Sequence, residues 1–129
     1  MIERGRVSIS STARRYPQLP YQAIKDDILG RTYALSLVFV GTSRAQAINR
    51  TNRGKSYIPN VLSFPLDAHT GEIFITPQIA RKEASARDMT VNGYTGFLFI
   101  HALLHLKGMH HGDTMDVLEK RYCTKYRLA

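Results

Sequence analysis

The chain has no tryptophan and one cysteine among its 129 residues. A lone thiol excludes an internal disulfide and fits a reducing, cytoplasmic setting, so Cys123 reads as a small inward residue on the last helix. Long apolar runs are missing too. The most apolar stretch, residues 97–106, carries two histidines and is too short for a membrane span, which needs about 20 residues. No apolar segment follows Met1-Ile-Glu-Arg-Gly-Arg6, so a secretory leader is not expected. Repeats, low-complexity tracts and linkers are also absent, and residues 1–129 read as one domain. Carboxylates are scarce: 10 Asp+Glu against 18 Lys+Arg leave a net charge of +8. None occurs between Asp88 and Asp113. Such an excess of positive charge suggests a polyanionic partner.

What is present is an ordinary globular pattern, with 43% hydrophobic residues. The basic residues fall in separated clusters, not in a tail: Arg14 and Arg15; Arg44, Arg50, Arg53 and Lys55; Lys120, Arg121, Lys125 and Arg127. Residues 7–11 predict a first strand. Residues 21–29 predict a helix with Ala23, Ile24 and Ile28 inward, ended by Gly30. Residues 33–40, β-branched and aromatic throughout, predict the clearest strand. A helix capped by Thr42 or Ser43 should run to about Asn52 and stop at Gly54. Residues 61–65 and 72–76 predict an antiparallel hairpin, with Pro65 at a strand end because it cannot donate to a ladder. Thr76-Pro77 opens a helix to about Arg87. Asn92 or Thr95 opens an almost wholly apolar, central helix to Lys107, and Asp113 or Thr114 caps a last one with Met115, Leu118, Tyr122 and Tyr126 on one stripe. The expected class is α+β: a small mixed sheet of about four strands with packed helices, the central one zincin-like.

That central helix carries the chemistry. His101-x-x-x-His105-x-x-Gly108-x-x-His111 is a metal-ligand spacing. Residues four apart share one helix face, so His101 and His105 can point at one ion. Gly108 can end the helix sharply and return His111 to the same ion, with His110 as its competitor. Three protein ligands leave a position open, as catalytic sites do, and imidazoles suit zinc, though another divalent transition metal is compatible. Helical zinc proteases carry a general-base glutamate directly after the first histidine. Here that residue is Ala102, which disfavours a metalloprotease. Upstream, Arg53 stands at a helix end beside Gly54, where its guanidinium can grip a phosphate with two hydrogen bonds. Ser63 has no activating base in its neighbourhood and reads as a strand hydroxyl.

Two blocks resemble the YbeY family of bacterial endoribonucleases. The family signature, close to His-Gly-x-Leu-His-Leu-x-Gly-Tyr-Asp-His, is matched by His101, Leu104, His105, Leu106, Gly108 and His111. A second block, Leu-Asn-x-x-x-Arg followed by Thr-Asp/Asn-Val-Leu-Ser-Phe-Pro, is matched by Asn49, Arg53 and Asn60-Val-Leu-Ser-Phe-Pro65. Gly71-Glu-Ile73 is similar to the family's Gly-Asp-Ile. The departures are Pro59 for Thr, Ala102 for Gly, Met109 for Tyr and His110 for Asp. The resemblance implies a cytoplasmic, metal-dependent endoribonuclease specific for single strands. It would act in rRNA processing at the 3′ end of 16S rRNA and in ribosome quality control, with the small ribosomal subunit as partner and neither DNA nor membrane involved. In that reading His101, His105 and His111 hold one zinc ion, Arg53 stabilises developing charge, and His110 can transfer protons. The alternative is a non-catalytic ribosome-assembly factor whose metal is structural.

Overall fold

The computed structural model describes residues 3–13 and 15–128, so Arg14 of the first basic cluster lies outside the described residues. The elements are β1 (Val7–Ser11), α1 (Tyr21–Leu29), β2 (Ala34–Phe39), α2 (Thr42–Arg53), β3 (Val61–Asp67), β4 (Thr70–Ile75), α3 (Pro77–Ala86), α4 (Val91–Leu106) and α5 (Asp113–Lys125). The four strands form one mixed sheet in the order β1-β2-β4-β3. β1, β2 and β4 are parallel, while β3 runs antiparallel to β4. The α+β class with a four-stranded mixed sheet is therefore as expected.

The chemistry of the residues explains the layout. β2 is central and nearly all apolar, because both its faces are covered. β4 alternates, with Gly71, Ile73 and Ile75 buried and Glu72 and Phe74 half-buried between them. The buried face of the sheet meets α4, whose Phe99, Ile100, Leu103 and Leu104 join Leu35, Leu37, Phe39, Ile73 and Ile75 in the main core. Burying each such side chain contributes about 1.5–3 kcal/mol. α4 is apolar on nearly every side and is the central helix, as its sequence implies.

Several local expectations are corrected. α4 opens at Thr90, whose hydroxyl accepts from the Gly93 N–H at 2.9 Å; Asn92 and Thr95 lie inside the helix, which ends at Leu106 with Lys107 as C-cap. Gly41, in an extended conformation, and Gly112, with a φ of 156°, occupy the N-cap positions of α2 and α5, so neither Thr42 or Ser43 nor Asp113 or Thr114 caps through its side chain. Ala23 is exposed. The inward position on α1 belongs instead to Lys25, fully buried, whose ammonium donates to the carbonyls of Gly5 and Gly30. Pro65 does not end β3, which continues to Asp67 with a register shift between the two. An edge strand tolerates this, because one side of its backbone has no neighbour to bond. Cys123 is half-buried against the core, not fully enclosed.

Candidate metal centre

The central helix presents His101 and His105 one turn apart. After Leu106 the chain turns at Gly108, whose φ of 102° is closed to most side chains. The Met109 N–H bonds back to the Leu104 carbonyl at 3.0 Å, and the returning chain brings His111 up to the helix. The three imidazoles form an almost equilateral triangle, with ring centroids 4.6, 4.9 and 4.8 Å apart. One ligand atom from each lies within 4.8 Å of the others, and no fourth such side chain joins the group among the described residues.

The hydrogen bonds around the rings fix which nitrogen faces inward. His101 Nδ1 lies 2.6 Å from Glu119 Oε1, and His105 Nδ1 lies 3.0 Å from the Met109 carbonyl oxygen. Both partners are acceptors, so both Nδ1 atoms carry protons. That leaves the two Nε2 atoms as lone pairs, and they face one another at 3.1 Å. Something positive has to sit between them. A shared proton serves two rings; a divalent ion serves three, and His111 supplies the third. Tetrahedral zinc with nitrogen ligands at 2.0–2.1 Å separates them by about 3.3 Å, close to the spacing found. Burial, and next the charge of His101, hold the His105 imidazole below its usual range, which keeps it neutral and able to ligate at pH 7. The residues present therefore fit a metal ion.

Glu119 was not singled out from the sequence. It sits on α5, 7% exposed, four residues after the buried Met115 and so on the inward stripe of that helix. A carboxylate at an inward position was the available signal. Its bond to His101 is the carboxylate–histidine support common around metal sites.

Arg53 is the last residue of α2, next to Gly54, whose φ of 66° ends the helix. Its Nη1 donates to Asn49 Oδ1 at 3.3 Å and to the Tyr57 hydroxyl at 3.2 Å. Asn49 is fully buried and is itself fixed by donating to the Tyr57 carbonyl at 3.0 Å. An exposed guanidinium is thus held from a buried base one helical turn away. Arg53 and the three histidines line one cavity of about 510 Å³. Ser63 on β3 lines it too, as does Arg87, which no local pattern in the sequence marked. Among the described residues, no carboxylate belongs to its lining. His110 is exposed and lies outside that lining. Among the described residues of the basic clusters read from the sequence, Arg53 alone lines the cavity; Lys125 instead pairs with Asp27 at 2.5 Å.

Comparison with known proteins bears on the fold and the family. A solution structure of a Thermotoga maritima protein superposes with a TM-score of 0.68, covering 92% of this chain and 87% of that one at 23% identity, which establishes the fold. Proteins named "Endoribonuclease YbeY" align from Mycoplasma mycoides, 37% identical over 64% of this chain and 57% of its own length, and from Alkaliphilus metalliredigens, 35% identical over 69% and 64%. The relative from Neisseria meningitidis serogroup B is 32% identical over 90% of this chain and 75% of its own length. The chain thus spans about three fifths of the length of the first two. The model for the family described as "Endoribonuclease YbeY" matches residues 5–125, a span that holds the three histidines, the Asn49–Arg53 pair and the Asn60–Pro65 block, and the chain belongs to that family.

Proposed function

We propose that this chain is a metal-dependent endoribonuclease that cuts single-stranded RNA. One observation carries the reading: three imidazoles converge within the cavity that an anchored guanidinium lines, and no carboxylate among the described residues lines it. A phosphodiester carries negative charge and gains more as it reacts, so a cavity of this sign favours the transition state over the ground state. His101, His105 and His111 would hold the ion. Zinc there would supply positive charge to polarise a phosphoryl oxygen and to acidify water. Arg53 grips the phosphate, and its bonds to Asn49 and Tyr57 hold the guanidinium in place before substrate arrives. Glu119 keeps the proton of His101 on Nδ1. His110, exposed beside His111, exchanges protons from the solvent side.

The finer assignment is rRNA processing in the cytoplasm: maturation of the 3′ end of 16S rRNA on the small ribosomal subunit, and ribosome quality control. The name carried by the relatives and the net charge of +8 support an RNA partner.

The test is cleavage of an end-labelled single-stranded RNA, with a DNA oligonucleotide of the same sequence beside it. His105→Ala should abolish cleavage, Arg53→Ala should lower kcat by about 10²–10³-fold, and both should keep the wild-type circular dichroism spectrum. The DNA should stay intact. Equal cleavage by all three proteins means a contaminating nuclease. No cleavage by zinc-loaded wild type sinks the enzymatic reading in favour of the non-catalytic assembly factor. A 2′,3′-cyclic phosphate on the product identifies the RNA's own 2′-hydroxyl as nucleophile; a linear phosphate from the first turnover identifies water.

A further inference from the structure

The cavity has a second end that the chemistry above leaves unused. Along α4 a row of aromatic rings runs away from the histidines. The Phe97 ring lies 6.1 Å from that of His101, and the Tyr94 ring lies 5.9 Å from that of Phe97, nearly parallel to it. Arg87, the C-cap of α3, closes the row, with its Cζ 5.3 Å from the Tyr94 ring centroid. It is exposed and lines the same cavity as Arg53.

The surroundings give this guanidinium no direct ion-pair partner among the described residues. Glu83, four residues earlier on the same helix, is engaged elsewhere: its Oε1 accepts from Asn60 Nδ2 at 2.9 Å and from the Tyr94 hydroxyl at 2.7 Å. Burial and that bond push the Tyr94 phenol up to about 12, so it keeps its proton and goes on donating to Glu83 at neutral pH. No salt bridge ties Arg87 among the described residues. Its charge rests on an aromatic ring, which favours a cation while leaving its N–H groups free for another partner. Phe97, half-buried between this end and the histidines, offers ring surface to a nucleobase.

Building on the endoribonuclease reading, we propose that Arg87 binds a second phosphate of the RNA strand, flanking the one that is cut, with the intervening nucleotide against Phe97. The cavity then recognises a stretch of strand and not one bond. A base lying against Phe97 has left its own stack, so paired RNA is excluded from this end. Arg87 is a binding residue here and takes no part in the bond-breaking step.

The test is fluorescence anisotropy of a labelled single-stranded RNA across a salt series, with cleavage kinetics on the same RNA, for wild type, Arg87→Ala and Arg87→Lys. Arg87→Ala should weaken binding by about tenfold at 0.1 M salt and flatten the slope of log affinity against log salt by about 0.7. KM should rise while kcat stays within about twofold. Arg87→Lys should keep the salt slope and recover part of the affinity. A single uncharged methylphosphonate is then moved along the RNA one linkage at a time. One position, not the scissile one, should cost wild type about as much as the Arg87→Ala change does, and cost Arg87→Ala nothing further. An unchanged salt slope and KM in Arg87→Ala, or equal losses in both proteins at every linkage, overturns the subsite while leaving the nuclease intact. RNA that binds but is not cut overturns the nuclease reading, and the salt slope and linkage scan then still decide the subsite. No binding by wild type overturns both.

Discussion

Replacing Glu119 with alanine separates support of a ligand from the ligand itself. The carboxylate is 7% exposed, and its Oε1 lies 2.6 Å from His101 Nδ1. The bond keeps the proton on Nδ1, which leaves Nε2 free for a cation, and the negative charge raises the basicity of that nitrogen. A hydrogen bond to a charged group contributes about 1.5–3 kcal/mol. Expressed fully in the metal-bound state, this is about 10- to 150-fold in the zinc dissociation constant. Supporting groups of this kind are worth about 10- to 100-fold, so that range is expected for Glu119→Ala. Glu119→Gln keeps an acceptor for the Nδ1 proton but loses the charge, and should cost about tenfold or less. Loss of packing is controlled by Leu118→Ala on the same helix, which removes a core-facing side chain and should leave zinc affinity unchanged. The assay is competition with a chromophoric chelator at pH 7, with far-UV circular dichroism to verify the fold. A folded Glu119→Ala protein that binds zinc as tightly as wild type would falsify both the supporting role and the assignment of Nε2 as the inward atom.

Three further outcomes follow from other parts of the fold. Burial, and then the nearby Glu119 charge, push the Cys123 thiol from 9.0 up to about 11. At pH 8 the folded protein should therefore react with iodoacetamide about a hundredfold more slowly than the urea-unfolded chain, and equal rates would contradict the burial of this thiol. The sign for stability is fixed by the same shift: the contribution is complete below pH 9.0 and is lost as pH rises toward 11. Gly93→Ala would place a Cβ 2.5 Å from the Leu128 carbonyl oxygen. The resulting displacement costs about 1–3 kcal/mol and should outweigh the gain of about 1 kcal/mol in helix propensity; a Tm above wild type would contradict this. Lys25→Ala removes the donor to the Gly5 and Gly30 carbonyls, at 2.9 and 3.1 Å, and the partner of Asp26 at 2.6 Å. Urea denaturation should show a loss of about 1.5–3 kcal/mol, and a loss below about 1 kcal/mol would mean that water replaces the ammonium without penalty.

Features that depend on a few neighbouring residues were readable before folding. The bounds of β1 and α1 match their pattern because periodicity and a terminal glycine are local properties. The spacing of the histidines, and the Asn49–Arg53 pair one turn apart, work for the same reason: the helix alone brings such side chains together. Helix starts were misplaced where a cap was assigned by side-chain type. Gly41 and Gly112 cap α2 and α5 through backbone conformation, and of the three misplaced starts only α4 uses a hydroxyl, that of Thr90. Lys25 took the inward place expected of Ala23 because the carbonyls of Gly5 and Gly30, remote in sequence or past the helix end, converge on its ammonium.

What lay beyond the sequence is the part of the site made by elements that meet only in the fold. The absence of acid between residues 88 and 113 says that α4 brings no carboxylate of its own. It does not say what neighbouring helices bring. α5 supplies Glu119 and α3 supplies Glu83, and either could have cancelled the positive charge of the cavity. Neither lines it: Glu119 is hydrogen-bonded to His101 Nδ1, and Glu83 to Asn60 and Tyr94. Two carboxylates close to the site thus serve to orient other side chains, while Arg53 and Arg87 keep their charge toward the cavity. This division bears directly on the reaction. A peptidase of the zincin type needs a free carboxylate beside the metal as general base, and here the corresponding residue is the buried Ala102, with the nearest acid already committed to His101. Transfer at a phosphodiester asks for the opposite: positive charge on several sides of an anion that becomes more negative as it reacts, with no competing anion in the cavity.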